Sequence, residues 1–163
     1  MSAVRPLDVM VHGLLDGARS KGLATESWLD GVLAQARIAE SLLHLEQSRV
    51  TIEQYIALFS AVKNSLDDEC LGHLHGRPLR CGSFALMARS TLGAKTLAAA
   101  LQRLSASFTL LQDDLSLVPV SDGLLKGAAL DVRRAAGEHS DFLQGLLLRV
   151  FWRLLVWLHG GRL

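Results

Sequence analysis

The stretch RPLRCGSFALMARSTLGAKTLAAALQRLSASFTLLQDDL, Arg77 to Leu115, decides the fold. In its second half Leu97, Ala100, Leu101, Leu104, Phe108 and Leu111 recur at the spacing of one face of a 3.6-residue helix. Thr96 stands just before them as an N-cap, its hydroxyl able to accept from an orphan N–H of the first turn. In the first half Gly82 and Ser83 open a shorter helix, with Ser83 as its cap, and Phe84, Met87, Ala88 and Thr91 share one face. Gly93 and Lys95 fall in the break between the two. The whole reads as a helical hairpin that buries aliphatic surface, and it contains no catalytic residue pattern.

Upstream, Pro6 suits a first helical turn, and Leu7, Val11, Leu14, Leu15 and Ala18 form a buried stripe that Gly22 ends. A second helix runs from Glu26 to Arg37 on Trp28, Leu29, Val32 and Leu33, and a short helical turn follows at Ser41 to Leu45. Thr51 and Gln54 make a capping box, and the helix they open buries Ile52, Tyr55, Phe59, Val62 and Leu66. Asp67 to Arg80 holds Gly72, Gly76 and Pro78 and reads as broken structure.

Downstream the period changes to two. Leu115, Leu117 and Pro119 face one way, Ser116, Val118 and Val120 the other, and Asp122-Gly123 supplies a hairpin turn. Counting back from the turn pairs Leu117 with Ala128 and Leu115 with Leu130. Pro119 cannot donate to a ladder, so its strand is an edge or its donor side is free. A lone hairpin is marginal in water and must pack on the helices or on further strands. Ser140 caps a last helix whose stripe is Leu143, Leu147, Val150, Phe151, Leu154 and Leu158. With no internal repeat, low-complexity tract or linker, residues 1–163 form one mainly α (α+β) domain. It is a helical bundle of about six helices with one small antiparallel β-hairpin near residues 115–132.

A chain of 163 residues can bury a real core. Half of its residues are hydrophobic, which leaves apolar surface to be covered by a partner. A net charge of +1 gives no nucleic-acid footprint. The apolar start is broken by Asp8, His12 and Asp16, so it is no signal peptide, and the protein is expected in the cytoplasm. The one membrane candidate, Phe142 to Leu158, carries Arg149 and Arg153, each costing about 2.5–3.5 kcal/mol at a bilayer centre. A buried amphipathic helix is the better reading.

Candidate chemistry is sparse. Cys70, His73, His75 and Cys81 are competent zinc ligands in a Gly-rich loop, but their spacing matches no established site, so no metal is assigned. His139, Ser140 and Asp141 are neighbours in sequence, which does not make a triad. No catalytic residue and no cofactor are assigned, and an enzyme is not expected. The acidic runs Asp67-Asp68-Glu69 and Asp113-Asp114 read as solvated boundary residues. Arg149 and Arg153, four apart, are either a solvated face with Arg153 on Trp157 or an anion clamp between this helix and the hairpin for an acidic effector. Phe84, Met87 and Phe108 are core residues that can also line a cavity. These five residues are the ligand-binding candidates.

The run from Arg77 also resembles the N-terminal effector-sensing, arabinose-binding-like domain of AraC-type bacterial transcriptional regulators. Arg77, Pro78, Gly82, Ser83 and Phe84 match that family's opening, and Thr96, Leu97, Ala100 and Leu101 match its second helix. Lys95 stands where the family usually has Pro, and Ala98-Ala99 where it has Gly-Glu. LLLRVFWRLLVWLHGGRL, Leu146 to Leu163, is similar to its closing helix and Gly-Arg signature. The resemblance implies a domain that binds a small-molecule effector, forms a homodimer and controls DNA binding by a C-terminal helix-turn-helix domain. No such DNA-binding unit is legible in these residues. The chain therefore reads as a sensing and dimerisation domain incomplete at its C-terminal end, with the hairpin as an exposed edge that favours pairing with a second copy. A stand-alone helical protein–protein interaction module without a ligand is the alternative, ahead of a metal-binding domain.

Overall fold

The computed structural model describes residues 7–44, 49–123, 125–131 and 140–160. Pro6, Leu45, Val132, His139, residues 161–163 and the side chains of Leu7, Asp8 and Ser140, all covered by the readings above, lie outside what is described. Among the described residues the order is α1 (Leu7–Ser20), α2 (Glu26–Ala36), a 3₁₀ turn (Glu40–His44), α3 (Ile52–Leu66), α4 (Ser83–Ser90), α5 (Leu97–Leu111), β1 (Ser116–Asp122), β2 (Leu125–Asp131) and α6 (Ser140–Leu158). The fold is mainly α with one small β-hairpin.

Local chemistry explains the helix ends. The Thr25 hydroxyl accepts from Trp28 N–H and the Thr96 hydroxyl from Ala99 N–H. Thr51 and Gln54 exchange both bonds of the capping box. At α4, however, Ser83 is already helical. Gly82 holds the cap position at φ +96°, in the left-handed region where a Cβ is strained. Its missing cap is supplied from a distance by Glu69, whose carboxylate accepts from the N–H groups of Gly82 and Phe84.

The apolar faces meet in two cores. α1, α2 and α3 pack through Val11, Leu14, Leu15, Val32, Leu33, Leu58 and Val62, with Leu71 inserted from the following loop. α4, α5, the hairpin and α6 pack through Met87, Leu104, Phe108, Leu117, Leu143 and Phe151, with Cys70 and Leu74 from the same loop. Consecutive residues Cys70 and Leu71 thus enter different cores. α6 belongs to both, since Phe142 and Leu146 lie against the first and Leu143, Leu147, Phe151 and Leu154 within the second. In α3 the buried face is carried by Leu58, Ala61 and Val62, and Ile52 is 74 % exposed. As the first residue of its helix, Ile52 has no neighbour to cover it, although it falls on the expected stripe.

The hairpin register differs from the sequence count. Leu117 pairs with Leu130 and Pro119 with Ala128, because the ladder extends to an Asp122–Leu125 pair at the turn. The shift is two residues, so every side chain keeps its face. Leu115 and Leu117 are buried against α5, and the Ser105 hydroxyl donates to the Leu117 carbonyl. Val118 and Val120, on the other face, are exposed. Among the described residues the sheet has these two strands only, so both carry a free edge.

Candidate functional site

The segment from Asp67 to Arg80 positions everything around it, and the acidic trio at its start is not a solvated boundary. Asp67 caps α3 in the left-handed conformation, receives Arg80 Nε at 2.7 Å and accepts from Cys81 N–H. Its carboxyl sits below its ordinary value because of the Arg80 hydrogen bond, then the Cys81 N–H. Asp68 is 2 % exposed; Oδ1 accepts from the N–H groups of Cys70 and Leu79, and Oδ2 from that of Gly72. Glu69 caps α4. Three consecutive carboxylates therefore tie one loop to the end of α3 and the start of α4. Backbone donors in a buried loop must find acceptors, and here charged side chains provide them.

The second acidic pair is structural as well. Asp114 accepts from Gly76 N–H at 2.6 Å and is buried, while Asp113 pairs with Arg77 at 3.1 Å. Arg77 also donates to the Leu110 carbonyl, placing a cation at the C-terminal end of α5. Buried Gln112 accepts from the N–H groups of Asp113 and Asp114 and donates to the Arg77 carbonyl. Arg103 reaches back to the carbonyls of Ser90 and Leu92 at the end of α4.

The four metal-competent residues are dispersed. The Cys70 thiol is buried and held well above its ordinary value by desolvation, with Asp68 and Glu69 adding to the effect. The His73 ring lies 2.8 Å from the Gly13 carbonyl and 5.4 Å from the Phe142 ring centroid. His75 and Cys81 are exposed. Among the described residues no group of three or more His, Cys, Asp or Glu is placed to hold an ion.

What the fold does leave is a half-open cavity of about 290 Å3 between α3, α4, α5 and α6. Phe59, Phe84, Met87, Phe108, Leu146, Leu147 and Phe151 make most of its wall, and Lys63 and Glu69 are its charged lining groups. Phe108 meets Phe151 edge-on at 5.4 Å, and Phe84 lies 6.4 Å from Phe151. Three of the five sequence candidates, Phe84, Met87 and Phe108, therefore meet at one cavity while also belonging to the core.

Arg149 and Arg153 line an adjoining, shallower depression with Phe84, Val150, Leu154 and Trp157. The two hollows meet at Phe84 and Val150. The arginines thus face α4 and not the hairpin, because the buried stripe of α6 turns Leu143, Leu147 and Phe151 toward α5 and the strands. Both are exposed, and among the described residues neither has a carboxylate partner. Arg149 lies close enough to α3 for its charge to pull down the Tyr55 phenol, against the larger upward push of burial.

Sequence reasoning read Phe59, Leu147, Val150 and Phe151 only as core stripe residues and did not place Lys63, Glu69, Leu79 and Leu146 in the cavity lining. Lys63 follows directly on the α3 stripe residue Val62, so its place beside the core was accessible to the periodicity; Glu69 and Leu79 sit in irregular backbone that no period describes.

Among the described residues no helix is long and apolar enough to cross a membrane. A family model described as the arabinose-binding domain of AraC transcription regulator, N-terminal, matches residues 29–163. Comparison with curated proteins and with solved structures gave no match.

Proposed function

Because the chain belongs to the family of N-terminal arabinose-binding domains of AraC transcription regulators, which are regulatory sensing domains and not enzymes, we propose that the cavity between α3, α4, α5 and α6 binds a small-molecule effector. Residues 1–163 act in this reading as the sensing and dimerisation domain of a cytoplasmic regulator, and effector binding controls DNA binding by a helix-turn-helix domain elsewhere in it. The observation that carries the reading is the half-open apolar cavity itself, enclosed by four helices and lined by Phe84, Met87 and Phe108. An effector that favours one arrangement of those helices shifts the regulator's equilibrium by its differential affinity and by no more than that.

Homodimerisation is the second part of the proposal. Leu148 and Trp152, one turn apart on α6, are both exposed, and the hairpin offers free strand edges. Sedimentation of the purified chain as a monomer at micromolar concentration refutes this part.

The effector reading is tested by a thermal-shift screen with small metabolites, repeated on Val150→Trp. Val150 is half-buried and lines both the cavity and the depression beside it, so an indole there takes up ligand space without replacing a fully buried core residue. A binder present at 100 times its Kd adds about 2.7 kcal/mol of stability. The expected result is a metabolite that protects the native chain and fails to protect Val150→Trp. Protection that survives the substitution, or a screen with no protecting compound, refutes the cavity as the effector site.

A further inference from the structure

The charge and size of this site narrow the effector to one chemical class, an inference that rests on the effector reading of the cavity. The family's label names a sugar, but apart from Lys63 and Glu69 the cavity wall is made of Phe, Leu, Val and Met side chains. With Glu69 already accepting two backbone N–H groups, a pentose placed there would meet Lys63 as its one free polar group and bury its other hydroxyls against side chains that cannot hydrogen-bond. An apolar body is what such a wall stabilises.

The charged groups around that wall are unequal. Glu69 is committed, one carboxylate oxygen to Gly82 N–H and the other to Phe84 N–H. The cations are not. Among the described residues Lys63, Arg149 and Arg153 have no carboxylate partner. Arg149 and Arg153 stand one helical turn apart in the depression that shares Phe84 and Val150 with the cavity. Guanidinium groups match the geometry of a carboxylate or phosphate with paired N–H donors. Because both are exposed, an anion reaching them keeps part of its water and avoids the penalty of a buried charge.

Size follows from volume. A cavity of about 150 Å3 lined by aliphatic and aromatic groups holds benzene. At about 290 Å3 this one accepts roughly twice that bulk, a body of about ten to twelve carbon atoms on the same scale.

We infer that the effector is an apolar organic acid, a medium-chain or aryl-alkyl acid whose tail fills the cavity and whose anionic head passes Phe84 and Val150 to meet Arg149 and Arg153. The head is a carboxylate or a phosphate monoester; the guanidinium pair serves both.

The test is calorimetric titration of the purified chain with decanoate, decyl phosphate, 3-phenylpropanoate, the neutral amides of the two carboxylates, and decylamine. Arg149→Ala, Arg153→Ala, their double variant and Val150→Trp are titrated in parallel. Both arginines are exposed, so the variants keep the core, which an unchanged melting midpoint verifies. At least one acid is expected to bind ten or more times tighter than its amide or the amine. The double variant is expected to bring that acid down to the level of the amide while leaving the amide unchanged, and Val150→Trp to abolish both. The tighter of decanoate and decyl phosphate names the head group. Equal affinity for acid and amide, or preference for the amine, overturns the acid assignment; if Val150→Trp still blocks those ligands, the cavity stands as the effector site. Binding of neutral ligands alone has the same meaning. Failure of every compound to bind, or binding that Val150→Trp leaves intact, overturns both readings.

Discussion

Asp68 offers the sharpest test of how this fold is held together. Its carboxylate is 2 % exposed and accepts three backbone N–H groups, from Cys70 at 2.9 Å, Gly72 at 2.9 Å and Leu79 at 3.0 Å. Asp68→Ala leaves three buried donors without an acceptor, each costing about 1–3 kcal/mol. Water entering the vacated space offsets part of this, so a loss of about 4 kcal/mol is expected, at the upper end of single substitutions. Asp68→Asn is milder. Its carbonyl oxygen can keep the two bonds that Oδ1 makes, to Cys70 and Leu79, while its amide meets the Gly72 N–H donor to donor, a loss of about 2 kcal/mol. Urea unfolding followed by far-UV circular dichroism reads both. With a slope of about 2 kcal/mol/M, Asp68→Asn lowers the midpoint by about 1 M and Asp68→Ala by about 2 M. Asp30→Ala, exposed on α2, is the control and stays within about 0.5 kcal/mol. If Asp68→Ala falls within 1 kcal/mol of the parent, or Asp68→Asn proves worse than Asp68→Ala, the carboxylate is not the acceptor that organises this loop.

Gly17 and Gly31 lie in neighbouring helices but answer the same substitution with opposite sign. A Cβ on Gly17 would stand 2.2 Å from the Leu71 carbonyl oxygen and 2.7 Å from His73 N, so Gly17→Ala must push α1 off the loop; one on Gly31 meets nothing within 4 Å. Thermal unfolding should show Gly17→Ala strongly destabilised and Gly31→Ala more stable by about 0.5–1 kcal/mol. The two thiols should separate kinetically under a thiol reagent. Exposed Cys81 reacts in the native chain, slowed by a thiol pushed up through partial desolvation and by Asp67 and Glu69, and buried Cys70 reacts only on unfolding. Because the folded state raises the Cys70 pKa above the unfolded value near 9.0, stability is undiminished by this group below that pH. It falls as pH rises beyond it toward the folded value. A Cys81→Ser chain whose midpoint is as high at pH 10 as at pH 8 contradicts that burial.

The periodic elements were legible because the forces that shape them repeat. Val11, Leu14, Leu15 and Ala18 of α1, and Ala100, Leu101, Leu104 and Phe108 of α5, are buried as their spacing requires. Thr51 and Thr96 cap as their chemistry requires. Where the reading failed, the deciding contact was distant in sequence. Asp68 and Asp114 look like solvated charges until the loop carrying Gly72, Gly76 and Leu79 folds back onto them. Ser83 looks like a cap until the helix starts one residue earlier, at the Gly82 cap position that Glu69 holds through the Gly82 and Phe84 N–H groups. Of the five ligand candidates, Phe84, Met87 and Phe108 line the cavity and the two arginines line the depression beside α4 rather than facing the hairpin, since a spacing of four fixes a face without fixing what faces it.

The residues that mark the family are almost all fasteners. Arg77 holds the last turn of α5 and Asp113; Gly82 supplies a left-handed turn; Ala100 and Leu101 bury α5; Thr96 caps it. Of that set Phe84 lines both the cavity and the depression beside it. It is also anchored through its N–H to Glu69, and its ring rests near that of Phe151. Such residues build a scaffold, and in the proposed reading the ligand falls to positions outside the motif, here Phe59, Lys63, Val150, Arg149 and Arg153. Matching the family therefore identifies how α4 and α5 are pinned together, whereas the chemistry of the effector has to be read from α3 and α6. The position where both kinds of information meet is Phe84. Its N–H is held by Glu69, and the adjoining carboxylates Asp68 and Asp67 tie the loop that joins the two cores, so the proposed effector site and that loop share one chain of hydrogen bonds.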